Sequence, residues 1–523
     1  MVAPARIAES LLSRPLLLAP LFGALAACGF EPLHLWPLTL VSLAWLVVAV
    51  ACAPDRKRAL LTGWLWGVGH FTVGNTWIAT AFGYQAQMPA WLGGIAVFLL
   101  SLYLAVYPAL ATLAAWHARR RPLALVIALA GAWIVAEWLR GWVFTGFAWN
   151  PLGVALLGPH EGQGLAMVTR WIGTYGLSGL VVLISGLILA LGRNRRGALP
   201  ALGLAATVAA MLVKGTIPEP QGRIPYTLVQ PNIPQQDIAN PAAFEDQFQK
   251  LARLSLPQDR DARRLVLWPE SGVPDYLREG YPRYFYQETT YAADPVLARR
   301  RIGSVIRPGA LLLTGAVDLE MAGDAVLGAR NVVTALDGQG AIRASYAKAH
   351  LVPYGEYLPM RSLLEPLGLS RLVAGSLDFL PGPGPRSADF GAYGKAGFQI
   401  CYEIVFSGEV VNRADRPDYV FNPSNDGWFG AWGPPQHLAQ ARLRAIEEGL
   451  PVLRSTTNGI SAVIDADGIV RQQLPRFVAG RLDGTVPPPH VPTLFARFGN
   501  VLPLVLAAVL LAFSLLVLRR AGR

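Results

Sequence analysis

Hydrophobic and polar positions divide the chain into two textures. Residues 11 to 216 carry long apolar runs separated by short polar connections. Seven of those runs approach the roughly 20 residues a helix needs to cross a bilayer. They lie near 13–29, 34–53, 59–80, 90–115, 123–144, 166–192 and 197–215, and an eighth runs from Asn500 to Leu518. From residue 222 to about 485 the pattern shortens to apolar, β-branched runs set between charged segments. Six read as strands: Tyr226 to Val229, Leu265 to Trp268, Leu311 to Thr314, Asn331 to Thr334, Tyr419 to Phe421 and Ala462 to Ile464. Helical periodicity over Phe244 to Leu254 and Gln436 to Glu448 supplies covering helices, so this part is predicted to be α/β. Asp465-Ala466-Asp467-Gly468 fits a turn between two strands, and Pro487-Pro488-Pro489 a stiff linker. The expected division is a membrane domain over 1–217, a polar domain over 222–485, and a linker with a last span over 486–523.

Composition agrees with a membrane protein: 53% of residues are hydrophobic and 15% charged, with a mean hydropathy of +0.37. The net charge of +11 raises the question of nucleic acid, and its placement answers it. Twelve of the 45 basic residues sit in four clusters, at 56–58, 119–121, 193–196 and 519–523, leaving 33 against 34 acidic residues elsewhere. Charge concentrated beside apolar spans sets orientation and does not make a nucleic-acid surface. Arg6 and Arg14 precede the first span, and three clusters follow spans two, four and six. The connections from Phe30 to Leu33 and from Ala81 to Met88 contain no Lys or Arg. This alternation predicts a cytoplasmic N-terminus and a polar domain on the outer side of the membrane, with the last span returning inward. A second reading of span one exists. Arg6, Arg14 and the apolar run ending in Leu25-Ala26-Ala27-Cys28 also fit a signal peptide cut before a lipidated cysteine. Retention is the expectation, because the topology closes with the span in place.

Of three cysteines, Cys28 and Cys52 fall in or beside apolar spans, which leaves Cys401 as the unpaired thiol of the polar domain. Alone, such a residue is ordinarily a small buried hydrophobe. Its company changes the reading. Cys401 ends the apolar run Gly397-Phe398-Gln399-Ile400, Glu270 follows Leu267-Trp268-Pro269, and Lys348 lies in Tyr346-Ala347-Lys348-Ala349-His350. Strand ends in layered α/β folds are where reacting groups converge. A thiol needs a proton acceptor or nearby cation to act as nucleophile, and a carboxylate can supply the first. An ammonium beside it can steady an oxyanion, helped by the N–H of Tyr402. No histidine stands out as the base, which argues against a Cys-His protease. A thiol nucleophile held at a bilayer suggests a lipid as acyl donor. No cluster of His and Cys with metal-ligand spacing is present, so neither metal nor other cofactor is expected.

The motifs resemble the carbon–nitrogen hydrolase (nitrilase) superfamily and, within it, its apolipoprotein N-acyltransferase branch. The likeness runs through Val229-Gln230-Pro231-Asn232-Ile233-Pro234-Gln235, Trp268-Pro269-Glu270-Ser271, Lys348 to Pro359, Cys401-Tyr402-Glu403, Asn422 to Phe429 and Asn458-Gly459-Ile460. In the apolar part it includes Glu137 to Gly141 and Thr145 to Trp149. The resemblance implies a nitrilase-like αββα sandwich inserted between seven membrane helices and one. It implies Glu270, Lys348 and Cys401 as catalytic triad, Glu356 as a further carboxylate near the thiol, and Tyr402 and Glu403 as supports of nucleophile and lipid site. The implied reaction takes an acyl chain from a phospholipid, expected to be phosphatidylethanolamine. A Cys401 thioester carries it to the amine of a diacylglyceryl-cysteine lipoprotein, and the protein acts as a monomer. In one place the sequence departs from the pattern: Gln236-Asp237-Ile238-Ala239 stands where many members carry a tryptophan that engages substrate.

Glu137 and Arg140, three apart on a helix, are expected to pair near the outer interface. Trp142, Phe144, Phe147 and Trp149 suit either an interfacial belt or a path for lipid tails. Trp428 and Phe429 suit a pocket mouth or a core equally. Pro359 to Pro381, with Gly368, Gly375 and several leucines, is expected to form a mobile loop at a lateral opening. Two rivals remain: an anchored amidase passing the acyl group to water, and a transporter or scaffold with a degenerate enzyme domain.

Overall fold

The structure, a computed structural model, describes residues 14–84, 89–193, 197–212, 221–257, 263–323, 325–364, 366 and 378–520. Much of the expected loop between Pro359 and Pro381, with Gly368 and Gly375, lies outside them, as do Arg6 and the cluster beyond Arg193.

Helices start where the chain supplies a cap or a proline. Asp55 accepts the Arg58 N–H at 2.9 Å, so the Arg56–Gly74 helix begins on the basic cluster itself. Pro122 opens the Pro122–Arg140 helix, where its missing N–H is no loss. Glycines allow close crossings. A Cβ at Gly23 would fall 1.9 Å from the Trp66 carbonyl oxygen, and one at Gly69 would fall 1.9 Å from that of Pro20. The Pro15–Ala27 and Arg56–Gly74 helices therefore touch backbone to backbone, as small residues permit in bilayers.

Every expected span is helical over most of its length, but their lengths differ. Trp91–Trp116, Pro122–Arg140, Leu165–Gly192 and Val501–Arg520 are long and apolar enough to cross a membrane. Pro15–Ala27, Trp36–Cys52 and Ala198–Leu212 are apolar but shorter, and Arg56–Gly74 carries three basic residues in its first turn. The Thr169–Arg193 helix breaks at Gly173, whose φ of 66° and ψ of 174° leave the helical region.

The polar part is a sandwich of two six-stranded mixed sheets. The first holds β1 (Pro225–Gln230), β2 (Arg264–Leu267), β3 (Ala310–Ala322), β4 (Ala325–Asp337), β5 (Ile342–Ala347) and β12 (Gly480–Thr485), in the order β12-β1-β2-β3-β4-β5. The second holds β6 (Ser387–Asp389), β7 (Lys395–Phe398), β8 (Tyr419–Ser424), β9 (Val452–Thr456), β10 (Ser461–Ile464) and β11 (Val470–Leu474), in the order β11-β10-β9-β8-β7-β6. Each has a parallel centre, β1-β2-β3 or β7-β8-β9, with antiparallel flanks. All six expected strands are present, and the Asp465 to Gly468 turn joins antiparallel β10 and β11.

Alternation explains the layers. Leu265 and Leu267 of β2 face the second sheet with Leu311, Leu313, Phe398, Phe421 and Leu453. Val266 and Trp268 face the other way, onto the Phe244–Ser255 and Pro295–Ile306 helices through Phe248, Leu251 and Ile302. Each such Leu, Ile or Phe contributes about 1.5–3 kcal/mol on burial.

The Gly433–Glu448 helix covers the outer face of the second sheet. Leu438, Ala441 and Ala445 belong to the sandwich core, while Ala439, Leu443 and Ile446 belong to the core of the helical bundle. Its polar residues are buried between the two. Arg442 donates to the carbonyls of Gly158, Pro159, Gly162 and Gly468 at 2.7–2.9 Å. Glu447 accepts the Thr174 N–H at 2.6 Å, capping the half-helix that starts after the Gly173 break.

Candidate active site

Three strand ends each deliver one reactive group. Glu270 follows β2, Lys348 follows β5, and Cys401 follows β7. All are buried, Lys348 to 1% exposure and Cys401 to 5%. Lys348 Nζ lies 2.9 Å from Glu356 Oε1 and 3.6 Å from Glu270 Oε1. Asn331 on β4 donates from one Nδ2 to both carboxylates, at 2.7 Å to Glu270 and 3.1 Å to Glu356. The other Glu270 oxygen accepts the Asn425 N–H at 2.8 Å, and the other Glu356 oxygen accepts that of Val352 at 2.7 Å. Two carboxylates, one ammonium and two backbone donors are thus mutually satisfied, as a buried polar group requires.

Electrostatics assign different tasks to the two charged partners. Burial by itself would lower the Lys348 ammonium. The carboxylates of Glu356 and Glu270 outweigh that and hold it above the usual lysine range. Lys348 is therefore a fixed cation, fit to stabilise an anion and unfit to take a proton. Burial and the adjacent Glu270 push the Cys401 thiol well above its ordinary value, against the opposing pull of Lys348. The resting sulfur keeps its proton at neutral pH, and Glu270 is placed to receive it during attack.

The backbone at Cys401 is strained. Cys401 has a φ of 52°, left-handed for a residue with a side chain, and opens a tight turn over Cys401–Val405. Glu403 closes that turn by accepting the Ile400 N–H at 2.7 Å. Its other oxygen accepts from the Tyr346 hydroxyl at 2.8 Å and from the N–H groups of Ala349 and His350 at 2.7 and 3.2 Å. One carboxylate thus fixes the cysteine turn to the lysine turn, and burial raises it to about 7. Tyr402 is buried, parallel to Trp149 at 6.5 Å and edge-on to Phe406 at 5.1 Å.

Sequence reasoning passed over several residues. Besides Asn331 and Asn425, His437 contacts the Cys401 carbonyl through Nε2 at 3.0 Å, while its Nδ1 accepts from Arg454 at 2.9 Å. Burial and the Arg454 charge bring His437 down to about 4, so it is neutral, and the Arg454 bond assigns its proton to Nε2. It therefore donates to the Cys401 carbonyl and fixes the backbone there. Asp426 balances Arg454 at 2.7 Å. None of these follows an apolar run in a signature pattern, and only Asn425 and Asp426 lie within a quoted motif.

The other expectations divide. Among the described residues, Glu137 and Arg140 are held by separate partners. Glu137 accepts from Trp133 and the Leu152 N–H, and Arg140 donates to the carbonyls of Phe147 and Trp149. The helix ends at Arg140, so its side chain caps the loop that follows instead of reaching back. Phe144 is 86% exposed and Trp142 51%, whereas Trp149 is buried against Trp77 and Phe429. Trp428 meets Tyr84 edge-on at 5.7 Å. Just before the stretch that lacks the tryptophan, Gln235 accepts from Asn425 Nδ2 at 2.9 Å and so contacts the site's own support.

Comparison with known proteins accounts for both textures. Residues 22–187 match the family model described as apolipoprotein N-acyltransferase N-terminal domain, and residues 227–491 match that of carbon-nitrogen hydrolase. An apolipoprotein N-acyltransferase of Rhodopseudomonas palustris is 36% identical, over 97% of this chain and 95% of its own. One of Bradyrhizobium diazoefficiens is also 36% identical, over 96% and 94%. Among solved structures, an amidase from Nesterenkonia sp. is similar over 55% of this chain and 97% of its own, at 19% identity and a TM-score of 0.33. With relatives of one description aligned along nearly all of its length, the chain belongs to the apolipoprotein N-acyltransferase family.

Proposed function

We propose that Cys401 carries a fatty acyl chain from a phospholipid to the N-terminal amine of a diacylated lipoprotein. The observation that carries this reading is the meeting of Glu270, Lys348 and Cys401 at three buried strand ends, in a chain whose relatives are acyltransferases throughout their length. Glu270 takes the Cys401 proton as sulfur attacks the ester carbonyl. Lys348 and the Tyr402 N–H face the developing oxyanion. Collapse returns the proton to the departing lysophospholipid and leaves a thioester. The lipoprotein amine then attacks, Glu270 accepts its proton, and the amide leaves as the thiol is restored. Two half-reactions on one sulfur give ping-pong kinetics.

Phosphatidylethanolamine is the donor we favour. The membrane domain extends over 1–217, the catalytic domain over 222–485 on the periplasmic side of the inner membrane, and the linker and last span over 486–523. Eight spans in a monomer complete the arrangement. The backbone contact through Gly23 and Gly69 between Pro15–Ala27 and Arg56–Gly74 supports counting both helices among the spans.

Intact mass spectrometry after incubation with phospholipid tests the reading. A fatty-acyl adduct on Cys401, discharged by a diacylated lipopeptide that becomes triacylated, is the expected result. Release of free fatty acid with the peptide unchanged would instead mean that water is the acceptor, as in an amidase.

A further inference from the structure

A second site lies where the sandwich hands the chain to its last helix. A cavity of about 450 Å³ is lined by Val411, Arg413, Arg416, Pro492, Ala496 and Arg497. Half of that lining is arginine, and none of it is carboxylate. We propose that this cavity binds the phosphodiester head group of an anionic glycerophospholipid, of the phosphatidylglycerol or cardiolipin class, as a lipid distinct from the acyl donor.

Four observations converge. First, guanidinium groups match phosphodiester oxygens in shape and charge. Second, two of the three arginines are held in place. Arg413 packs on Gly499, where a Cβ would fall 1.6 Å from its Nη2, and Gly499 takes a φ of 56° there. Arg416 donates to the carbonyls of Glu448 and Gly449. Third, their positive charge is little offset. The carboxylate facing them, Glu448, lies 3.7 Å from Arg416 but is raised to about 7 by burial and by Glu447. Fourth, exposed apolar residues adjoin the lining in sequence. Val491 precedes Pro492 and is 81% exposed, Phe498 follows Arg497 and is 51% exposed, and Val501, 60% exposed, opens the apolar Val501–Arg520 helix. Basic groups beside exposed apolar side chains at a membrane boundary suit a head group with its chains alongside. A zwitterionic lipid would bring an ammonium to a cavity whose lining offers it no anion.

The site also has a link to the catalytic turn. Val411 and Arg413 continue the segment that starts at Cys401, and Asn500 donates to the Ser407 carbonyl of that segment at 2.7 Å. An occupant would hold the last helix and this segment together.

Native mass spectrometry of the full chain released from lipid nanodiscs reads the binding. The probes are dioleoyl-phosphatidylglycerol, dioleoyl-phosphatidylethanolamine and inorganic phosphate, against wild type, Arg497→Gln, Arg413→Gln, and a remote control with Arg283→Gln and Arg300→Gln. Wild type and control should retain one phosphatidylglycerol with about tenfold preference over phosphatidylethanolamine, and each site variant should lose most of that preference. Acyl transfer measured in phosphatidylethanolamine alone should be unchanged by Arg497→Gln, so this proposal and the catalytic reading fail separately. Equal retention of the two lipids by wild type, preference undiminished in both site variants, or displacement by millimolar phosphate would each overturn it.

Discussion

At the scale of single residues, the site works because each charge has a fixed partner. Asn331 is the clearest case, since one amide restrains both Glu270 and Glu356. Asn331→Ala should lower the turnover of lipopeptide by about 10- to 100-fold, from the loss of one charge-assisted bond, with the protein still folded. A normal rate in that variant would remove Asn331 from the site. The raised Cys401 thiol makes a second prediction. Its alkylation by iodoacetamide, followed on the Cys401 peptide, should rise about tenfold per pH unit between pH 7 and 9, because only the thiolate reacts. A rate already flat above pH 6 would mean an anionic resting sulfur. Cys401 and Glu270 could be singled out in the sequence because each follows an apolar run, and Lys348 because it opens a long motif. Asn331 and His437 could not, because a lone amide in a strand and a histidine in a helix acquire meaning only from what the fold places opposite them.

Elements set the spacing of those groups. The end of β2 passes so close to β3 that a Cβ on Gly315 would lie 2.7 Å from both the Glu270 Cα and the Ser271 nitrogen. Gly315→Ala must therefore displace Glu270. Loss of about 1–3 kcal/mol in stability and at least about a tenfold fall in acyl-adduct formation are expected. Thermal unfolding and single-turnover mass spectrometry measure the two separately. The strands were readable as short apolar runs where they are central, as in β2 and β8. Short edge strands such as β6 and β12 carry charge and glycine, so their sequences resemble loops, and only pairing identifies them. The same limit affects the helices. Apolarity located all eight runs, but the break at Gly173 depends on Phe495, which packs where a Cβ would otherwise stand.

For the whole molecule, the Gly433–Glu448 helix joins bundle to sandwich through buried polar groups, and this contact was not visible in the sequence. Arg442→Met would leave four carbonyls without their donor. Amide exchange in Gly158–Gly164 should then accelerate, and the melting temperature should fall by several degrees, as for about 3–5 kcal/mol lost from a broken buried network. Stability should also depend on pH through Glu448, which the folded protein protonates more readily than an unfolded chain would. That contribution is complete below the ordinary glutamate range and is lost as pH rises through about 7. Glu448→Gln should flatten the decline in melting temperature between pH 5 and 8, and an unaltered slope would exclude the residue as its source. The double allegiance of this helix has a practical consequence. Cut free by protease or by gene truncation, the catalytic half would expose Leu443 and Ile446 to water and strand Arg442 and Glu447 without the partners they were built to meet. It should precipitate instead of becoming a soluble enzyme, so the two halves of the chain can be inherited only together.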